Sequence, residues 1–168
     1  MGFYHIRAVQ ENDIPFLWDM LYEISYARSL REGKIPPARE ILENPDLAKY
    51  VKNWGRIGDR GFIAIATHNQ APIGAAWYRL YQGENKAFGY VDDETPELAI
   101  ALLSKYTGKG IGHSLLAHLL HQAQLDGYQQ ISLNVDPKNP PAFHLYQKLG
   151  FEKVGVFQTN WIMKKVLI

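Results

Sequence analysis

The sequence predicts one domain built on a mixed α/β sheet, and three observations support this fold class. The chain has 168 residues, of which 46% are apolar and 21% are charged, values ordinary for a single globular domain. Short runs rich in β-forming residues occur near the start, in the middle and at the end of the chain. Between them lie segments whose apolar residues recur every three or four positions, as in a helix packed on a sheet.

The N-terminal third predicts a strand followed by helices. Residues 3–9 alternate and are rich in β-formers, so they predict the first strand. Asn12 and Asp13 are suited to cap a helix to about Ser29, whose apolar side holds Phe16, Leu17, Met20, Leu21 and Ile24. After the breaker stretch 33–37, helical material extends to Trp54, and Asn44-Pro45 within it resembles an N-cap followed by proline.

The middle of the chain has the pattern of strands. Residues 61–67 and 72–81 are strand-like runs joined by the tetrapeptide 68–71, which predicts a hairpin. A polar loop follows. Residues 96–103 then form a third run with few polar side chains, which predicts a strand buried on both faces.

The C-terminal half alternates helices with strands. A long helix ends before Gly127, which suits a C-terminal cap, and its apolar positions are Ile111, Leu115, Leu116, Leu119, Leu120 and Ala123. Residues 129–135 predict a strand, and Asn139-Pro140 opens a short helix that ends at Gly150. Residues 151–157 and 160–167 predict a closing antiparallel pair of strands.

Charge and cysteine content argue against several classes of function. The chain has 18 basic and 17 acidic residues, and a net charge of +1 argues against a nucleic-acid partner. Cysteine is absent, which excludes thiolate chemistry and cysteine metal sites and fits a reducing compartment. No signal-like or membrane-spanning apolar run occurs, so we expect a soluble, cytoplasmic protein without a membrane partner.

A glycine-rich loop precedes the long helix. The segment from Tyr106 to Ser114 follows a buried strand and holds three glycines, Gly108, Gly110 and Gly112. Unpaired amides at a helix N-terminus stabilise an anion, and glycines let a phosphate approach the backbone. Lys105 and Lys109 add positive charge, and no acid occurs from 104 to 114. The glycine spacing alone fits a phosphate site and a plain strand-to-helix turn equally well.

Two nucleotide-binding motifs can be tested against this loop. The P-loop pattern requires Gly-Lys followed by Ser or Thr, and neither Gly-Lys pair stands in that frame. The dinucleotide fingerprint requires a third glycine, but His113 and Leu115 occupy the two positions where it would fall. Asp136 could mimic the ribose-binding acid, yet only 32 residues follow it, too few for the rest of a dinucleotide domain. Both motifs are therefore excluded.

Two motifs in a fixed order give a more specific answer. Gly110-Ile111-Gly112, followed by the leucine-rich helix, resembles the pyrophosphate motif Arg/Gln-x-x-Gly-x-Gly/Ala of the GNAT superfamily of N-acetyltransferases. Residues 139–151 resemble that family's Asn-x-x-Ala-x-x-x-Tyr-x-x-x-Gly-Phe segment. The resemblance covers residues 98–157 well, and the N-terminal elements match the family layout in outline.

The resemblance implies a splayed, mostly antiparallel sheet flanked by helices, acetyl-CoA as co-substrate and no metal. The sheet would open between strands 96–103 and 129–135, where backbone groups near Ala101, Leu102 and Leu103 would pair with the pantetheine arm. Asn139 and Phe143 would line the far side. The pyrophosphate would be held by the amides of Thr107, Gly108, Lys109, Gly110, Ile111, Gly112, His113 and Ser114. A homodimer is the family-level expectation of assembly.

The sequence departs from the family pattern at two positions. Thr107 stands where Arg or Gln is usual, and Ser104 stands where proline is common. Anchoring through backbone amides survives this change, because any residue supplies an N–H. Lys105 or Lys109 could supply the positive charge that Thr107 lacks.

Two residues are candidates for the chemistry. Tyr146 matches the position from which the family's tyrosine assists the departing thiolate, and the alternative is a core tyrosine on its helix's apolar side. Glu97 opens the strand that leads to the glycine loop, and a partly desolvated carboxylate there would have a pKa suited to a base. The acids of residues 92–94 are alternatives, and a water-mediated proton transfer would need no single base.

The expected acceptor is a primary amine of a small molecule or peptide, which no motif identifies further. Aromatic residues crowd the presumed acceptor side: Tyr22, Tyr26, Trp54, Trp77, Tyr78 and Tyr81. We expect Trp77 and Tyr78 to divide between the core and pocket faces of their strand. The six histidines show no metal-ligand spacing backed by acids.

Two other functions remain open at this point. One is a CoA-binding sensor or regulatory module without catalysis, and the other is an acyltransferase that uses a longer acyl chain or a hydroxyl acceptor. Turnover with an amine panel distinguishes the first from an enzyme, and a comparison of acyl chain lengths tests the second.

Overall fold

A computed structural model describes residues 2–168, which form one mixed sheet with helices on both faces. The strands are β1 (Tyr4–Ala8), β2 (Arg60–Ala66), β3 (Pro72–Arg79), β4 (Glu97–Leu102), β5 (Gln130–Val135), β6 (Glu152–Phe157) and β7 (Asn160–Val166). The helices are α1 (Ile14–Arg31), α2 (Pro45–Ala48), α3 (Ile111–Leu125) and α4 (Pro140–Lys148). Short 3₁₀ helices cover Glu11–Asp13, Arg39–Glu43 and Ser104–Tyr106.

The strand order is β1-β2-β3-β4-β5-β7-β6, and β4 and β5 are the one parallel pair in residues 2–168. The predicted hairpin is β2–β3, and the predicted closing pair is β6–β7. β4 and β5 share one register pair, Glu97 with Ser132, and then diverge. The predicted fold class, with its opening between these two strands, is confirmed.

Alternation along β4 divides its side chains between two hydrophobic cores. Leu98 faces the core beneath α3, where Ile111, Leu115, Leu116 and Leu119 are fully buried. Ala101 faces the core beneath α1, with Leu17 and Met20. Burial of each such aliphatic side chain contributes about 1.5–3 kcal/mol, so α3 is firmly held where it approaches the opening.

The start of α1 differs from the sequence prediction. Asp13 makes no side-chain cap bond to α1. Its carboxylate instead accepts the backbone N–H of Gln10 at 2.7 Å and pairs with Arg7 of β1 at 2.6 Å. Asp13 therefore caps the preceding 3₁₀ turn, and α1 begins after it and runs two residues beyond Ser29.

The predicted helical segment up to Trp54 is mostly turns. Asn44 caps α2 as expected, accepting the amide of Asp46 at 2.9 Å, but α2 is only four residues long. The buried guanidinium of Arg79 donates to the carbonyls of Lys49 and Lys52 at 2.9 and 2.8 Å. These carbonyls would otherwise serve a continuing helix, so Arg79 holds the chain in turns around Tyr50.

No helix in residues 2–168 is long and apolar enough to cross a membrane.

Candidate active site

The opening between β4 and β5 leaves backbone groups of β4 without a strand partner. Near its start the strands still meet, with Ser132 N donating to Pro96 O at 2.9 Å. Leu103 N donates to Ile73 O at 2.9 Å, so the alternate residue Ala101 also directs its backbone toward β3. The backbone groups of Ile100 and Leu102 therefore face the opening. Of the three predicted positions, Leu102 directs its backbone groups into the opening, whereas Ala101 and Leu103 direct theirs toward β3. Ile100 was not predicted, because the sequence does not show which alternate residues of the strand face the opening.

The glycine loop presents a row of free amides. The N–H groups of residues 108–113 have no acceptor within the described chain, and the first paired amide is that of Ser114, which donates to Gly110 O at 3.2 Å. Gly108 and Gly110 have φ angles of 74° and 86°, the left-handed region that glycine tolerates. Residues 107–110 are exposed, as are the side chains of Lys105 and Lys109. The loop is therefore shaped to receive an anion.

Two predicted loop residues, Ser114 and Thr107, have polar groups that are already engaged, and a third, Gly112, is buried. The Ser114 amide is used within the helix, and its hydroxyl lies 2.8 Å from that of Tyr4. The Thr107 hydroxyl donates to Ser104 O at 2.9 Å, so it is not free to replace the family's Arg or Gln. Gly112 is buried, and a Cβ there would lie 3.7 Å from Leu102 and Leu145, which shows that α3, β4 and α4 converge at this point.

Helix α4 follows β5 and carries the second motif. Asn139 is its N-cap residue but makes no side-chain cap bond, and Phe143 packs edge-on against Trp161 at 5.2 Å. Tyr146 is buried, 7% exposed, with its ring against Phe151. Burial alone raises the pKa of Tyr146 to about 12. Its hydroxyl makes no hydrogen bond within residues 2–168, and it is not among the fully enclosed polar atoms that lack a partner.

Glu97 is a buried carboxyl at the point where β4 and β5 separate. It is 1% exposed, and burial raises its pKa to about 7. Three donors oppose that rise: the Tyr50 hydroxyl, the Gly89 amide at 2.7 Å and the Asn134 side-chain amide at 3.2 Å. A carboxyl that titrates near neutrality can accept a proton at working pH, as a general base must.

The residues around Glu97 form a polar cluster that sequence reasoning missed. Asn134 donates to Glu97 and accepts from the Asn160 side chain at 2.9 Å. Asn160 Oδ1 and the hydroxyl of Tyr81 are the two buried side-chain polar atoms without a partner in the described chain. Such orphans often mark a bound water or ligand. Their separation in sequence hides the cluster, since Tyr50 precedes Glu97 by 47 residues and no motif includes it.

The alternative acids are separate from this cluster. Asp92 accepts the amide of Glu94 and the side chain of Gln130, and Asp93 accepts the Tyr90 hydroxyl, which lowers the pKa of Asp93. Asp93 and Glu94 are exposed. The structure therefore distinguishes one buried carboxyl, Glu97, from a solvated acidic loop.

The aromatic residues contribute more to the cores than to an open pocket. Trp77 and Tyr78 do divide between the faces of β3, but both are buried. Tyr78 lies on the α3 side, where its hydroxyl donates to Asp126, so the expectation that one of the pair lines a pocket is wrong. On the α1 side, Tyr22 donates to Pro37 O at 2.7 Å, and Tyr26 is partly exposed.

The sequence and the fold of this chain are similar to those of known acetyltransferases. The sequence model of the Acetyltransferase (GNAT) family matches residues 18–151. A mycothiol acetyltransferase of Corynebacterium glutamicum is 35% identical over 97 residues, which are 51% of this chain and 33% of that protein. N-alpha-acetyltransferase 50 of Danio rerio is 30% identical over 105 residues, 62% of this chain and 58% of that protein. The chain thus spans about a third to somewhat more than half of these relatives' lengths.

Solved structures share the fold across the whole chain. An N-acetyltransferase from Staphylococcus aureus Mu50 superposes with a TM-score of 0.73 at 17% identity, covering 99% of this chain and 100% of that one. The PaiA N-acetyltransferase of Thermoplasma acidophilum, solved in complex with coenzyme A, has a TM-score of 0.65 at 22% identity and covers 99% of both chains.

Proposed function

The chain belongs to the GNAT family of acetyltransferases, and we propose that it transfers the acetyl group of acetyl-CoA to a primary amine of a small molecule or peptide. The observation that carries the proposal is the pairing of a glycine loop with free amides and a buried carboxyl at the same sheet opening. The names of relatives point the same way: one is a bS18-alanine N-acetyltransferase of Haemophilus influenzae, 39% identical over 64 residues.

Acetyl-CoA would lie along the opening as a strand-like partner of β4. The backbone groups of Ile100 and Leu102 would bind the pantetheine arm, and the amides of residues 108–113 would hold the pyrophosphate. Asn139 and Phe143 would line the α4 side. The thioester would then lie between the face that carries Glu97 and the face that carries Tyr146.

The reaction follows from these two groups. The neutral amine nitrogen attacks the thioester carbonyl carbon, and the C–S bond breaks as the amide forms, so that nitrogen releases one proton and the departing sulfur takes one up. Glu97 takes the proton released by nitrogen, and Tyr146 protonates or hydrogen-bonds the departing sulfur. Because three of the roughly four acceptor sites of the buried Glu97 carboxylate are filled, the proton reaches it through water at the remaining site.

The orphan oxygen of Asn160 favours an amine over an alcohol as the acceptor. Asn160 lies on the Glu97 face and is linked to Glu97 through Asn134. A neutral primary amine has two N–H groups, so it can donate one to Asn160 Oδ1 and lose the other toward Glu97. The single O–H of an alcohol cannot serve both.

A direct test measures release of free CoA from acetyl-CoA in the presence of amines, amino acids, antibiotics and peptides. Turnover with an amine supports the proposal. Binding of CoA without turnover by any acceptor favours a sensor or regulatory module, and a preference for longer acyl-CoA chains favours a different acyltransferase. A melting temperature unchanged by millimolar CoA would contradict all three, since CoA at 100 times its Kd adds about 2.7 kcal/mol to the folded state.

A further inference from the structure

Tyr50 is the only side chain in residues 2–168 that touches the Glu97 carboxyl with a hydroxyl group. It lies just after α2 and is 4% exposed. Its O–H donates to Glu97 Oε2, and its oxygen accepts the amide of Phe88 at 3.1 Å. Gly89, the next residue, donates its own amide to Glu97 Oε1 at 2.7 Å. One hydroxyl thus connects the carboxyl with the segment that covers it.

The backbone of Tyr50 is held in place from β3. The indole nitrogen of Trp77 donates to Tyr50 O at 3.0 Å. Arg79, fully buried and paired with Asp59 at 3.0 Å, donates to the carbonyls of Lys49 and Lys52 on either side. A buried ion pair and three hydrogen bonds thus stabilise a stretch of irregular backbone. The feature they hold in place is the Tyr50 ring and its hydroxyl.

We propose that Tyr50 is a positioning residue for the acetyl transfer, whose hydroxyl keeps the Glu97 carboxylate ionised and oriented toward the opening. This inference rests on the proposed function. Burial without donors favours a neutral carboxyl, which cannot act as a base. A hydrogen bond donated to the charged form restores the carboxylate, and a fixed donor also selects one carboxyl orientation.

The other charged and titratable groups around Glu97 do not replace this contact. Lys49, from the same segment as Tyr50, acts on Glu97 only through its charge and donates its ammonium to Lys86 O. Arg79, the β3 neighbour in register, is committed to Asp59. β5 contributes neutral Ser132, which donates to Gly89 O, and neutral Asn134. Tyr81 lies close by, but its hydroxyl has no partner within the described residues.

Tyr81 makes a matched control for Tyr50. Both rings are buried, their centroids are 5.6 Å apart, and only the Tyr50 hydroxyl bonds Glu97. Tyr50→Phe should move the acidic limb of the pH profile of kcat/KM upward by about one unit or more, the size of a lost hydrogen bond to a charged group. Tyr81→Phe should leave the limb in place. A role limited to anchoring Phe88 would lower kcat in Tyr50→Phe without moving the limb, which overturns the proposal.

A titration that needs no turnover separates this proposal from the proposed function. The Glu97 carboxyl is followed by carbon-13 NMR in wild type, Tyr50→Phe and Tyr81→Phe, with Glu97→Gln to assign the signal. We expect the titration midpoint of the carboxyl signal and the acidic limb of the kcat/KM profile to shift together, and only in Tyr50→Phe. A carboxyl that titrates unchanged in Tyr50→Phe overturns the inference even if acetyl transfer is found. A chain without turnover fails the proposed function, and the titration still decides whether Tyr50 controls Glu97.

A second change covers the case in which Tyr50→Phe does not fold. Site-specific 3-fluorotyrosine at position 50 keeps the ring's size and makes the hydroxyl a stronger donor. The limb and the carboxyl titration should then move to lower pH. A fluorinated protein with both unchanged overturns the proposal.

Discussion

Gly110 and Gly127 lie at opposite ends of α3 and hold the same left-handed backbone conformation, with φ angles of 86° and 87°. A Cβ at either position would meet no protein atom within 4 Å. The two sites therefore share their conformational requirement, but the amide of Gly110 is one of the free amides of the loop, whereas the amide of Gly127 donates to Gln124 O at 3.0 Å.

Substituting each of these glycines tests the proposed phosphate site. Gly110→Ala and Gly127→Ala should both destabilise the fold by about 1–2 kcal/mol, the strain of a left-handed non-glycine residue. Only Gly110→Ala should also weaken CoA binding, because its methyl group would project where the phosphate approaches. Calorimetric affinity and the unfolding midpoint measure the two effects. Equal CoA affinity in both variants would place the pyrophosphate elsewhere.

The local elements could be predicted from sequence because their signals are periodic and short in range. The α3 leucines and the turn glycine Gly127 report only on their neighbours in the chain, and they indicate the observed helix. The same limitation explains the failure between Asn44 and Trp54. There, Arg79 on a later strand takes up carbonyl groups that local propensity assigns to a helix.

The candidate site was predictable to the extent that motifs encode it. Glu97 follows from its position at the start of its strand, and Tyr146 follows from its motif. The contacts of Glu97 with Tyr50, Gly89 and Asn134 depend on which strands become neighbours, and no spacing in the sequence expresses that. The difference between Gly110 and Gly112 is also conformational, since Gly112 lacks a positive φ and faces Leu102 and Leu145.

The raised pKa of Glu97 predicts a pH dependence of stability. Between about pH 4.3, where an unfolded Glu titrates, and the folded value of about 7, the unfolded chain releases a proton that the folded chain keeps. Stability therefore falls as pH rises through this window, by roughly 4 kcal/mol in all, and is level above it with respect to this group.

Glu97→Gln removes the titrating group and should remove this part of the pH dependence. As the pH rises from about 4.3 to 7, we expect the unfolding free energy of wild type to fall relative to that of Glu97→Gln. Denaturant unfolding at several pH values measures this difference, with the exposed Glu94→Gln as control.

Turnover should fall in Glu97→Gln while CoA affinity stays near the parental value. A pH–rate profile that superimposes on the parent's would rule out Glu97 as the base.

Two asparagines should separate acceptor binding from CoA binding. Asn160 lies on the Glu97 face, and Asn139 is the N-cap residue of α4, on the side where we propose that CoA binds. Asn160→Ala should raise KM for the amine by about tenfold, the size of one or two neutral hydrogen bonds, and leave CoA affinity unchanged. Asn139→Ala should do the reverse. If Asn160→Ala left the amine KM unaltered, its orphan oxygen would be assigned to a structural water.

Tyr146→Phe tests the proposed proton donor, with Tyr78→Phe as a control on the same side of the sheet. The Tyr146 hydroxyl has no hydrogen bond within the described chain, so its deletion should leave stability nearly unchanged. The Tyr78 hydroxyl donates to Asp126, so Tyr78→Phe should lose about 1–3 kcal/mol. If Tyr146 assists the departing sulfur, its variant should lose roughly 10²–10⁴-fold in rate, whereas Tyr78→Phe should keep the parental rate.

The rate in this comparison is best measured under single-turnover conditions, because a slow product release would hide a loss in the chemical step. CoA affinity should be parental in both variants, since each retains its ring. The core-tyrosine alternative predicts a different pattern for Tyr146→Phe, with an unchanged single-turnover rate. It also predicts no loss of stability, since the hydroxyl has no protein partner to lose. Because both hypotheses agree on stability, the single-turnover rate alone decides, and a folded Tyr146→Phe protein with the parental rate would remove Tyr146 from the catalytic residues.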